Sequence, residues 1–218
     1  TSKERRQQAG QEYTIETLES LEQVPENGYD CAFVSTSPLS HSSLISLCLR
    51  RNMHVFTEIN LVEDGYDRNM KLAAEKGKVL FLSSTFLYRE EIRYIDSAVR
   101  KSMCPANYVY HIGQYLPDWH PWENYRDYFV GDRRTNGCRE IFAIELPWIL
   151  HTFGDVRAVH TVKGKNTGLA IDYPDSYFVI LEHEKGVRGV LTVDVVSRKA
   201  VRNLEVFSED LYLAWGGT

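Results

Sequence analysis

Along the first part of the chain, short apolar runs alternate with stretches of helical period. "YDCAFVSTS" is a continuous apolar run bounded by turn residues, the pattern of a strand covered on both faces of a parallel sheet. In "LSHSSLISLCLRRN", Leu44, Leu47 and Cys48 recur at helical spacing, and Ser40 stands where an N-cap belongs. "HVFTE" predicts a second strand, "GYDRNMKLAAEKGK" a second helix with Met70, Ala73 and Ala74 inward, and "VLFLSS" a third strand. This β-α-β-α-β order with short connections predicts a parallel, right-handed open sheet with helices on its faces.

The pattern then changes. "REEIRYIDSAVRKS" is amphipathic, with Ile92, Ile95 and Val99 on one side. After it come longer strands of alternating polarity, "ANYVYHIGQY", "DSYFVILEHE", "VRGVLTVDVVSR" and "VRNLEVFSED", which read as antiparallel, with a hairpin turn at Lys185–Gly186. One helix, "CREIFAIELPWILHTFG", interrupts them between a turn at Asn136–Gly137 and a stop at Gly154. The fold class is α/β plus α+β: a doubly wound parallel-sheet domain over residues 1–88, then a domain with a mostly antiparallel sheet over 89–218.

Composition narrows the partners. A chain of 218 residues that is 43% hydrophobic can bury a sizeable core. A net charge of -5 and a pI near 5.8 leave no basic field for a phosphate backbone, so nucleic acid is excluded as a partner. Cysteines 31, 48, 104 and 138 stand far apart without CxxC spacing, which points to free thiols in a reducing compartment and to no metal site. No apolar run is long enough to span a bilayer, and the cytoplasm is the expected location.

In open parallel sheets, ligands bind outside the carboxyl ends of the strands, where "STSPLSH", "TEIN" and "SSTFLY" fall. Glu58 in the second segment could bind a ribose, polarise a catalytic group or close a hydrogen-bond network. It could equally cap the next turn or be solvated.

These segments resemble the Gfo/Idh/MocA oxidoreductases, and the resemblance runs through nearly the whole chain. In that family a strand ending in Ala-Thr-Pro precedes a helix starting near a histidine, and "VSTSPLSH" sets Thr36, Pro38 and His41 in register. The next strand ends in Glu-Lys-Pro, and "HVFTEIN" matches it at Glu58 while Ile59 and Asn60 replace the lysine and proline. "LPDWHPW" is similar to a subgroup associated with sugar and surface-polysaccharide pathways, whose following helix carries His-Glu-Leu-Asp. Here Ile144 takes the place of that histidine, Glu145 keeps the glutamate and Pro147 replaces the aspartate.

The resemblance implies a partial Rossmann-like domain binding NAD or NADP through Thr36, Pro38, His41 and Glu58, and a sugar or nucleotide-sugar substrate. It also implies a homo-oligomer joined through the C-terminal sheet. Transfer to or from an alcohol needs a group that exchanges the hydroxyl proton, and isoleucine cannot. Glu145 and His120 are the expected replacements. Glu145 shares its helix face with Ile141, Trp148 and Ile149, so desolvation could raise its pKa, or Arg126, Arg133 or Arg139 could hold it as a structural pair. In "PDWHPWENY", Trp119, Trp122 and Tyr125 could stack on a sugar whose hydroxyls His120 and Asp118 bond, or the indoles could anchor the loop to the core. His151, His160 and His183 read as structural, and "EHE" at 182–184 as a solvated edge. The phosphate-cradling Gly-x-Gly-x-x-Gly turn is absent from these residues, so both ends of a longer protein are expected to lie outside them, and little or no turnover is expected from them alone. The alternative is a catalytically silent relative that binds a sugar or nucleotide as a partner or regulator.

Overall fold

The computed structural model describes residues 2–217. In chain order its elements are α1 (Lys3–Tyr13), β1 (Cys31–Val34), α2 (His41–Arg50), β2 (His54–Thr57), α3 (Tyr66–Glu75), β3 (Leu80–Leu82), α4 (Glu90–Lys101), β4 (Asn107–Gly113), α5 (Gly137–Phe153), β5 (Val156–Gly164), β6 (Ser176–His183), β7 (Arg188–Asp194), β8 (Val201–Phe207) and β9 (Tyr212–Trp215). The chain divides into two compact units, Thr1–Ser83 and Ser84–Thr218.

The first unit holds the parallel sheet β1-β2-β3. Because the strands lie in sequence order and right-handed crossovers join them, both connecting helices fall on the same side. That side buries Val34, Val55, Ile45, Cys48, Leu49 and Ala73. The other side is not covered by a helix of this unit, contrary to the expectation of helices on its faces: Phe33, Phe56 and Phe81 sit in register across the three strands, Phe56 stacks on Phe81, Phe33 is tilted 41° to Phe56, and Phe33 is 73% exposed. Helix α3 is rotated from the expected setting, with Asn69 and Ala73 inward and Met70 and Ala74 outward. Ser40 precedes α2 but donates to the Ser37 carbonyl instead of capping a helix N–H.

The second unit is a six-stranded sheet, β5-β6-β7-β4-β8-β9, with α4 and α5 on one face. Every neighbouring pair is antiparallel except β4–β7, which is parallel. The sequence pattern suggested antiparallel pairing there too, since one-sided burial gives the same period-2 alternation whichever way a neighbour runs. The helix-covered face holds the larger core, including Tyr108, Tyr110, Trp148, Leu191 and Leu204. Gly186 turns the β6–β7 hairpin at φ +84°, as its position suggested. His183 and Glu182 depart from the solvated edge expected of them. His183 is buried between the Tyr108 hydroxyl and the Gly154 carbonyl, and Glu182 accepts from Arg157 and His160.

Candidate functional site

In the first unit, chemistry gathers at the carboxyl ends of β1 and β2. The Glu58 backbone N–H still belongs to the sheet, donating to the Val34 carbonyl at 2.9 Å, so the residue is fixed at the end of its strand. Its side chain is exposed, with no hydrogen-bond or ion-pair partner among the described residues. Thr36 follows β1, and its hydroxyl lies 2.8 Å from that of Ser40. Pro38 is buried and starts the turn leading into α2.

His41 is buried at the start of α2 and acts on its neighbours. Nε2 lies 2.9 Å from the Thr36 carbonyl, which only accepts, so Nε2 carries a proton. Nδ1 lies 2.8 Å from the Asn60 side-chain oxygen. A charged ring donates there, and a neutral ring accepts from the same carboxamide turned over. Either way His41 ties the loop after β1 to the loop after β2, through the asparagine that stands where the resemblance places a proline.

The second unit holds a cavity of about 370 Å³ at one end of the sheet, walled by Ile112, Trp119, Ile141 and Ile144, with Gln114, Glu140 and Arg202 as its polar side chains and Gly216–Gly217 along one wall. Trp119 is the one expected substrate residue that lines it; Glu145, His120, Trp122 and Tyr125 do not. Glu145 is 0% exposed and saturated with donors. Its Oε2 accepts from the Tyr110 hydroxyl and the Trp148 indole, each at 2.7 Å, and its Oε1 accepts from Arg202 Nε at 3.1 Å and Nη2 at 2.9 Å. Its partner is Arg202, not Arg126, Arg133 or Arg139. Burial, reinforced by the Glu145 charge, drives the Tyr110 phenol far above its ordinary range, so it stays a donor.

His120 lies on the loop after β4 in a stack of three rings, between Trp122 at 4.9 Å and Tyr128 at 4.6 Å, with Nδ1 2.7 Å from Glu123 Oε1. Burial and the charges of Glu123 and Glu140 push the Tyr128 phenol up to about 12. Trp122 is 75% exposed, and the Tyr125 hydroxyl accepts from the Ala170 N–H at 3.0 Å.

Sequence reasoning missed Arg202 and Glu140. Both had a signal. In β8, Arg202, Leu204 and Val206 alternate onto the inward face, and an arginine there requires an acidic partner. Glu140 precedes Ile144 by four residues in α5, so both share a helix face.

Comparison with solved structures finds the same fold, a parallel-sheet unit followed by a helix-backed mixed sheet, over nearly the whole chain. The WlbA dehydrogenase from Bordetella pertussis, solved with NADH and UDP-GlcNAcA, is 15% identical with a TM-score of 0.85 over 99% of this chain and 67% of that one. A probable dehydrogenase from Thermotoga maritima is 16% identical, TM-score 0.81, over 100% of this chain and 67% of that one. The UDP-N-acetylglucosamine 3-dehydrogenase GnnA from Acidithiobacillus ferrooxidans is 16% identical, TM-score 0.77, over 98% and 65%. The chain thus spans about two thirds of the length of these structures. No curated protein matches the sequence. Residues 1–84 match the model of the Gfo/Idh/MocA oxidoreductase family, described as having an NAD-binding Rossmann fold.

Proposed function

We propose that the protein is an NAD- or NADP-dependent oxidoreductase acting on a hydroxyl of a sugar or nucleotide-linked sugar. The observation that carries this reading is a polar cavity with an indole wall in the same chain as an NAD-binding Rossmann module. Solved structures of the same fold include one holding NADH with UDP-GlcNAcA and a UDP-N-acetylglucosamine dehydrogenase, which supports a sugar as substrate.

The first unit fits the ribose end of the cofactor. The exposed Glu58 carboxylate is a ready acceptor for ribose hydroxyls, beside the hydroxyls of Thr36 and Ser40. Pro38 stiffens that turn, and His41 fixes it from beneath. The phosphate-cradling glycine turn is not among these residues. A bound nicotinamide supplies the hydride acceptor or donor.

In the second unit, Glu140 takes the proton-exchange role at the cavity wall, one helical turn before Ile144. Glu145 holds Arg202 in place, Trp119 offers an apolar wall to the ring, and the His120–Trp122 stack with Tyr125 forms the neighbouring loop surface. A second reading, a relative that binds sugar without turnover, is favoured by Ile144, which puts a methyl group in the cavity at the position of the family's histidine.

A second copy of the chain is the proposed partner. On the sheet face away from the helices, Ile180, Val190 and Val109 sit opposite one another on adjacent strands, with Phe178 beside them, and all are exposed. All four cysteines are free, which supports a reducing, cytoplasmic setting, and among the described residues no helix is long and apolar enough to cross a membrane.

Titration of the chain with NADH, followed by its fluorescence, tests the cofactor half. Saturable enhancement is expected, weakened about tenfold or more in Glu58→Ala, because a hydrogen bond to a charged group is worth about 1.5–3 kcal/mol. No change at millimolar NADH would remove the reading.

A further inference from the structure

Arg202 is a cavity-lining arginine whose own charge is already matched. Two of its three nitrogens, Nε and Nη2, are committed to Glu145 Oε1, and Glu145 is itself locked by Tyr110 and Trp148. The guanidinium lies 4.7 Å from the Phe86 ring, and the Arg202 side chain is 30% exposed. Gly217, at φ +85°, presses on its stem so closely that an added Cβ would lie 2.7 Å from the Arg202 Cβ. The third nitrogen, Nη1, takes no part in the bonds to Glu145. The arginine therefore presents two fixed N–H donors at the cavity wall without a spare positive charge.

We propose that Arg202 anchors the substrate in this cavity, that Glu145 positions it, and that the pair selects an uncharged oxygen, a hydroxyl or amide carbonyl, over a carboxylate. The selection follows from the ion pair. A ligand carboxylate near Nη1 feels the attraction of the guanidinium largely cancelled by Glu145, yet still loses its hydration on entering. An uncharged oxygen gains the same donors at a smaller desolvation cost. The apolar walls of Ile112, Trp119, Ile141 and Ile144 suit the C–H faces of a neutral ring.

This inference rests on the sugar reading, and its test separates the two. Calorimetric titration of the 218-residue chain is run with UDP-N-acetylglucosamine and with UDP-GlcNAcA, which carries a carboxylate in place of a hydroxymethyl group. The neutral sugar is expected to bind at least about tenfold more tightly. Arg202→Lys keeps the charge facing Glu145 but removes Nη1, so it should lose at least about tenfold for the neutral sugar with a thermal midpoint near that of the unmutated protein. Equal or tighter binding of the carboxylated sugar, or undiminished neutral-sugar binding by a folded Arg202→Lys, overturns the inference while the sugar reading stands. Binding of neither sugar removes the sugar reading and the inference with it. The two-ligand comparison on the unmutated protein decides the matter even where the variant does not fold.

Discussion

Glu145 stands where the sequence suggests proton chemistry, yet its geometry suits it to holding other groups still. A carboxylate that accepts four hydrogen bonds in a fully buried site has no lone pair left to offer a substrate. Removing it strands a partly exposed guanidinium together with a buried phenol and a buried indole. Glu145→Ala should therefore lower stability by about 3–5 kcal/mol in urea unfolding monitored by tryptophan fluorescence. A loss below about 1 kcal/mol would mean that the network carries little of the fold. Burial of Glu145 was legible from its apolar helix face. Its partner was not, because Arg202 lies 57 residues further along the chain and nothing local joins them.

At the scale of elements, the open face of the six-stranded sheet is the feature with the clearest consequence. Val162 opposes Phe178, and Ile180, Val190 and Val109 form a row across three strands, an apolar surface of the kind that marks an association site. Phe178→Asp should shift the chain toward monomer in sedimentation velocity while its circular dichroism is unchanged; an unmutated chain that sediments as a monomer at high micromolar concentration would refute the proposed dimer. The strands and α5 were readable from period and turn residues. Strand direction was not, since β4 pairs in parallel with β7 only after α5, β5 and β6 have intervened. In the first unit, the continuous apolar run of β1 suggested burial on both faces, and the in-order crossovers leave Phe33 outside instead.

For the molecule as a whole, each unit carries a candidate site of its own. The first offers an exposed acid at a strand end steadied by the His41–Asn60 contact, and the second a cavity with a held arginine. The family motifs made Thr36, His41 and Glu58 visible in the sequence, whereas the cavity draws on a loop, a helix, two strands and the Gly216–Gly217 segment that only folding assembles. Two-dimensional amide NMR of the chain, with NADH and then UDP-N-acetylglucosamine added, tests this division most directly. The account predicts that NADH moves the resonances of Thr36, Glu58 and Asn60, and that the sugar moves those of Gln114, Ile144 and Gly217. Resonances of the first unit that stay still at saturating NADH, or a sugar that shifts none of the cavity amides, would contradict it.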